Sequence, residues 1–375
     1  MLFYLNKKEK TFIKLFLFIF IIFFHNYANS ISITFIVPGK SNEDFWVNSA
    51  EFTRAAALNL GFEFEVLYAE RDRLYMLELA KNVSERKQKP DFVFIVNEKQ
   101  AAPQMLQVLN KNKIHTILTH IDLTEDQKEV LKTPRENLKY WLATIYPDNV
   151  NAGYQIANEI YKKTKKNVKN KKNYSLVAIN GDKSTKASLE RELGLNQFLL
   201  EHKNITLYQI ISAEWERQLA YEKMLLIQKR YHDIDMIWAA NDPIALGALK
   251  AVKEKNRKPG KDIFIGGLNW QQEALQEIKN GSLSISLGGH FMTGACAVII
   301  LYDYLHGIDI KEKNYEMNLK IFSTINENEA EEYTKYLDRS HWKKINFKKL
   351  SKFLNPQLND YDFDAKKILK SINNN

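Results

Sequence analysis

Met236-Ile237-Trp238-Ala239-Ala240-Asn241-Asp242-Pro243-Ile244-Ala245-Leu246-Gly247-Ala248-Leu249-Lys250-Ala251 is the stretch that decides the fold. Its first five residues are apolar and read as a strand buried on both faces. Asn-Asp-Pro then supplies side chains suited to capping and a proline suited to a first helical turn. An apolar-rich helix follows, across Ile244 to Lys255. Of Asn241 and Asp242, Asp242 is expected to cap this helix. Strand, cap and helix in sixteen residues make one βα unit, and the same unit recurs in both directions along the chain.

Upstream, Ile31 to Val37 is a β-branched run followed by an amphipathic helix from about Phe45 to Leu60. Phe62 to Tyr68, Phe92 to Val96 and Thr116 to Thr119 read as strands. A helix from about Arg73 to Arg86 and another ending at Leu109 separate them. The pattern restarts at Leu142 to Ile145, with a helix over Asn151 to Tyr161, the strand Ser175 to Asn180 and a helix over Ala187 to Leu200. Then come the strand Ile205 to Ile211 and a helix from about Gln218 to Lys229. Downstream lies the strand Ile263 to Leu268. Strands alternating with helices imply right-handed crossovers and parallel sheets covered on both faces. The 375 residues are too many for one ordinary domain and suit two lobes. The expected fold class is α/β, with two doubly wound parallel-sheet lobes. Ligands of such sheets sit beyond the carboxyl ends of the strands, so every loop leaving a strand is a candidate contact.

The ends of the chain read differently. Lys7, Lys8, Lys10 and Lys14 precede the apolar run Leu15 to Phe24, and Ala28-Asn29-Ser30 closes the segment. This is the pattern of a secretory signal peptide over residues 1–30, cleaved near Ser30, with export to the periplasm. An uncleaved anchor is the alternative, although the run falls short of the about 20 apolar residues a span requires. No cysteine follows it, which excludes a lipoprotein anchor. The lysines at 162, 163, 165, 166, 169, 171 and 172 account for much of the +9 formal charge. They read as a solvated loop at a helix end, not as a nucleic-acid patch, since no aromatics interleave before Tyr174. Cys296 lies in the apolar stretch from Ala295 to Leu301 and reads as a small buried hydrophobe.

No Gly-x-Ser-x-Gly elbow, phosphate loop, dinucleotide glycine pattern or His-Glu-x-x-His pair occurs. The histidines show no metal-ligand spacing. Binding without catalysis, metal or cofactor is the expectation.

The opening stretch, together with Lys258-Pro259-Gly260-Lys261-Asp262-Ile263, the Gly266-Gly267-Leu268-Asn269 turn, and Tyr146-Pro147-Asp148-Asn149 followed by Gly153, resembles the type I periplasmic binding proteins, specifically their ribose-like, sugar-binding branch. The resemblance covers about Ile31 to Gly307. It implies three crossings between lobes, expected near Ile145, Leu287 and Ile321. The lobes would then be 31–145 plus 288–321, and 146–287 plus 322–375, the second carrying an extra tail from about Asn326. It also implies an exported monomer that closes on a small sugar-like ligand and delivers it to the membrane permease of an ABC transporter. Docking on a membrane sensor (histidine kinase, cyclase or chemoreceptor) is the alternative.

For ligand contact, Phe45 and Trp46 look like the family's aromatic pair over the ligand. Trp215 falls where the family places a stacking ring, and Trp270 follows the Leu268-Asn269 turn. Sugar recognition uses such faces together with planar polar groups, while a half-buried core aromatic is the plainer role for each. Asn241 matches a family hydroxyl partner, and Arg191 resembles the family's cleft arginine, with Glu190 and Glu192 offering a surface charge network instead. Asp148 stands between ligand contact and helix capping. The sequence departs from the family pattern at His120 and Asn269, where carboxylates are usual, and at Leu287-Gly288-Gly289-His290-Phe291. Glu98 or Asp122 could supply the missing negative charge. His290 completes the candidate set.

Overall fold

The computed structural model describes residues 30–168, 171–310 and 313–374. All of the signal-peptide reading but Ser30 lies outside these residues, as do Lys169 and Asn170 of the lysine run. No helix among the described residues is long and apolar enough to cross a membrane.

The first sheet is assembled from β1 (Ser32–Val37), β2 (Glu63–Tyr68), β3 (Phe92–Val96), β4 (His115–Thr119), β5 (Trp141–Pro147) and β11 (Glu316–Leu319), in the order β11-β5-β4-β3-β1-β2. All its pairings are parallel. Helices α1 (Asp44–Asn59), α2 (Arg73–Glu85), α3 (Ala102–Lys111) and α4 (Glu125–Leu131) connect its strands. The second sheet holds β6 (Tyr174–Asn180), β7 (Ile205–Ser212), β8 (Met236–Ala239), β9 (Phe264–Leu268), β10 (Ile285–Gly288) and β12 (Ser323–Ile325), in the order β12-β10-β9-β8-β6-β7. Its helices are α5 (Asn149–Asn167), α6 (Lys186–Glu201), α7 (Arg217–Arg230), α8 (Asp242–Glu254) and α9 (Gln272–Lys279). One departure from parallel pairing occurs, where β12 runs antiparallel to β10. The α/β, doubly wound expectation is met.

Helix α10 (Thr293–Leu305) packs on α1 and carries the buried Cys296. The chain passes between sheets after β5, after β10 and between β11 and β12. At the middle passage Gly289 takes φ +107, and a Cβ there would lie 2.6 Å from both Ile321 O and the Ala365 side chain. Only glycine fits that backbone.

Local chemistry accounts for the helix starts. Asp72 accepts from the amides of Leu74 and Tyr75, and Thr124 forms a capping box with Gln127. Asn241, not Asp242, caps α8 by accepting from Ile244 N at 2.9 Å. Asp242 is fully buried and turned inward. It accepts from Ser286 Oγ at 2.8 Å and from Gln271 N at 2.9 Å. Both residues can cap a helix; what separates them is β10, whose Ser286 needs an acceptor in the core. The lysine run also differs from expectation, since α5 continues to Asn167 and Lys162 to Lys166 are helical. Lys165 and Lys166 lie in its last turn, where the helix dipole favours cations.

The tail does not belong wholly with the second lobe. Its helix α11 (Ala330–Tyr336) packs on α9, with the Tyr333 ring 5.9 Å from Trp270. The chain then crosses to the other lobe, where Trp342 and Phe347 meet Phe52 of α1 at 5.0 and 5.4 Å. Further on, buried Asp303 of α10 accepts from Ser351 Oγ, Lys352 N and Tyr361 Oη. Ala365, at the start of α12 (Ala365–Lys370), returns to Gly289 at the middle passage. Apolar surface on α1 and α10 that the sheet does not cover accounts for this path.

Candidate functional site

A cavity lies between the two sheets' carboxyl ends, lined by Glu43, Phe45, Trp46, Arg71, Glu98, His120, Ile121, Thr185, Ala187, Arg191, Trp215, Asn241, Pro243, Asn269, Gln271 and His290. The loops leaving β1 to β4 supply the first wall and those leaving β6 to β9 the second, with His290 following β10. This is the position that parallel strand order dictates.

On the first wall, Phe45 stacks on His290 at 4.6 Å and meets Trp46 edge-on at 4.9 Å. The Trp46 ring lies over Gly39, where a Cβ would come within 2.0 Å of it. His120 has both ring nitrogens committed, to Ser49 Oγ at 2.8 Å and Thr119 Oγ1 at 3.0 Å. It therefore offers the cavity its ring, not a free polar atom. Burial pulls its pKa down to about 3, so it is neutral. Arg71 donates to Glu43 through Nε at 2.9 Å and to Glu98 through Nη1 at 3.0 Å. Burial opposes its charge, yet the two carboxylates hold its pKa above the usual value. Glu98 is itself buried, and burial raises its pKa despite Arg71.

On the second wall, Arg191 is 5% exposed and is held by neutral acceptors: Asn149 Oδ1 at 3.0 Å and Ala240 O at 2.8 Å. Burial lowers its pKa to about 10, so it remains cationic at neutral pH. The helix crossing that places it depends on absent side chains. A Cβ on Gly153 would lie 1.9 Å from Arg191 O, and one on Gly194 would lie 1.9 Å from Val150 O. Glu190 and Glu192 turn elsewhere, to Asn149 Nδ2 at 3.2 Å and Asn180 Nδ2 at 2.8 Å, so the surface network does not form around Arg191. The guanidinium sits 5.5 Å from the Trp215 ring. The Trp215 ring lies over Gly181, where a Cβ would come within 2.3 Å of it. Asn241 faces the cavity with its amide nitrogen 3.5 Å from Trp215 O, its oxygen being committed to the cap.

Eight of the ten sequence candidates reach the cavity: Phe45, Trp46, His120, Arg191, Trp215, Asn241, Asn269 and His290. Two do not. Asp148 caps α5 by accepting from Asn151 N at 3.0 Å, and it lies outside the lining. Trp270 is 1% exposed and donates from Nε1 to Ser286 O at 3.1 Å. Its φ of +61 turns the ring into the core against Gly288 and Tyr333. Sequence reasoning gave Glu43, Arg71, Thr185 and Gln271 no role, because each sits in a short loop without a motif. Of the two carboxylates considered for negative charge, Glu98 lines the cavity, whereas Asp122 pairs with Lys128 and Lys186 at 2.6 and 3.0 Å. Lys186 reaches Asp122 from the opposite lobe, and Gln100 Nε2 donates to Ser184 O at 3.3 Å across the same gap. No group of acidic, histidine or cysteine side chains that could hold a metal occurs among the described residues.

Comparison with known proteins places this geometry. The model of the periplasmic binding protein domain matches residues 33–309. The chain is 24% identical over 281 residues to the ribose import binding protein of Haemophilus influenzae, covering 74% of this chain and 87% of that protein. It is 25% identical over 150 residues to the galactofuranose-binding protein of Escherichia coli, spanning 39% of this chain and 46% of that protein. A crystal structure of a periplasmic sugar-binding protein from Pseudomonas fluorescens superposes with a TM-score of 0.81 at 33% identity, covering 90% of this chain and 99% of that one.

Proposed function

The chain belongs to the periplasmic binding protein domain family, and from that membership we propose that it is a solute-binding protein that closes on a small, sugar-like ligand and presents it to the permease of an ABC transporter. The observation that carries this reading is the cavity where the strand ends of both sheets meet. It brings the aromatic faces of Phe45, Trp46 and Trp215 together with the planar polar groups of Arg191, Asn241, Asn269 and Gln271. Aromatic faces suit the apolar side of a pyranose or furanose ring, and amide and guanidinium groups suit its hydroxyls.

The cavity measures about 70 Å³. At about 10–15 Å³ per enclosed water, that is room for about five to seven waters, the scale of one monosaccharide. The role is binding, with no reaction assigned to the site. The protein acts as a monomer outside the inner membrane, with the leader cleaved after Ser30 so that the mature chain starts at Ile31; N-terminal sequencing of the exported protein reads that directly. For the ligand, tryptophan emission is titrated with monosaccharides and disaccharides, since Trp46 and Trp215 both line the cavity. A saturable change with one-to-one stoichiometry for a monosaccharide supports the reading. A response to disaccharides alone contradicts it.

A further inference from the structure

The two cations of the cavity are neutralised differently. Arg71, whose side chain is 20% exposed, is held between Glu43 and Glu98. Arg191 is more deeply enclosed, at 5% exposed, yet no carboxylate among the described residues comes within ion-pair distance of it. Its Nε and Nη1 are spent on neutral oxygens, and its Nη2 has no protein partner among the described residues. A charge removed from water without a counter-charge is costly, and an anion placed against it offsets that cost. Around the same cavity, three buried ring nitrogens also lack partners: Trp46 Nε1, Trp215 Nε1 and His290 Nδ1. The indole nitrogens can only donate. His290 is fully enclosed and adds no positive charge: burial holds its pKa well below the usual histidine value, with Arg191 and His120 adding to the effect.

Acceptors for ligand hydroxyls are supplied by Glu98, Asn269 and Gln271. Arg191, Asn269 and Gln271 stand on the second wall and Glu98 on the first, so the cavity offers one guanidinium without an ion-pair partner together with acceptors for hydroxyls. We propose that the ligand is a monosaccharide acid, its carboxylate on Arg191 and its hydroxyls turned toward Glu98, Asn269 and Gln271. This rests on the sugar-binding reading above and narrows it. A single guanidinium balances a single negative charge, and its remaining nitrogen, Nη2, can donate a charge-assisted hydrogen bond to a carboxylate oxygen. A phosphate ester would bring more charge into a site that also holds the Glu98 and Glu43 carboxylates. A polyamine would face Arg191.

The test is isothermal calorimetry on the intact protein with matched pairs that keep the pyranose ring and differ only in oxidation of C6: galactose with galacturonate, glucose with glucuronate, mannose with mannuronate. Glucose 6-phosphate and spermidine are run beside them. In at least one pair the acid is expected to bind about tenfold more tightly than its neutral partner. Arg191→Gln should remove that difference, while the wild-type comparison stands even if the variant does not fold. Neutral members binding as tightly as their acids, or the phosphate ester outcompeting both, overturns this inference and leaves the sugar-binding reading intact. Binding of spermidine alone, or of no member of the panel, contradicts both.

Discussion

Trp215 is held at φ +66 with its ring above Gly181 and the Arg191 guanidinium 5.5 Å away. The ring is half-buried and its Nε1 has no protein partner, so it contributes little that the free protein needs. Trp215→Ala is expected to weaken ligand binding by about 1–3 kcal/mol through lost contact area and stacking. The melting temperature without ligand should move little; a collapse in stability with affinity retained would assign the ring to the core. Asp242 is the opposite case, a buried carboxyl that supports the site without entering it. Burial lifts its pKa to about 7, against the hydrogen bonds from Gln271, Ser286 and Trp270 that favour the charged form. A raised acid pKa means the folded state holds its proton more tightly than the unfolded state. Stability from this group is therefore present below the unfolded value of about 4 and lost as pH rises through about 7. The melting temperature of the wild type relative to Asp242→Asn should fall between pH 5 and pH 8. A constant difference would show that Asp242 does not titrate there. Sequence alone assigned the cap to Asp242 and ligand contact to Asn241. The structure reverses the cap, because Ser286, which takes Asp242 inward, is 44 residues further on.

At the scale of elements, the alternation of strands and helices was legible because parallel strands buried on both faces are nearly unbroken apolar runs, such as Phe92–Val96. Helices α4 and α9 escaped notice because they are short, as did the antiparallel pairing of β12, a strand of only three residues. The candidate site was half legible. Residues beside a strand end with aromatic or amide side chains could be named, but which way a side chain turns depends on backbone angles that the sequence does not display. Trp270, turned inward at φ +61, is the instance. The tail was the least legible, since its course is set by apolar surface on distant helices. Trp342 is 1% exposed, stacks near Phe291 at 5.6 Å and donates to Tyr336 O at 3.0 Å. Trp342→Ala should cost about 3–5 kcal/mol in chemical denaturation of the free protein. A loss below about 0.5 kcal/mol, as at ordinary surface positions, would make the tail a loose appendage.

At the scale of the whole molecule, two sheets meet across a cavity and the chain passes between them at glycine-bearing and extended segments. Polar contacts span the mouth: Lys186 with Asp122, and Gln100 with Ser184. The Lys186–Asp122 pair is nearly buried, with side chains 13% and 2% exposed, whereas the Gln100–Ser184 contact is exposed and adds little alone. A ligand that touches both walls adds the interactions which make closure favourable, because it binds the closed arrangement more tightly than the open one. Small-angle scattering of the protein with and without a saturating monosaccharide, neutral or acidic, tests that claim most directly. A smaller radius of gyration is expected with ligand, with a ligand-bound curve that matches the arrangement of the described residues. A radius unchanged at saturation would contradict closure around the cavity.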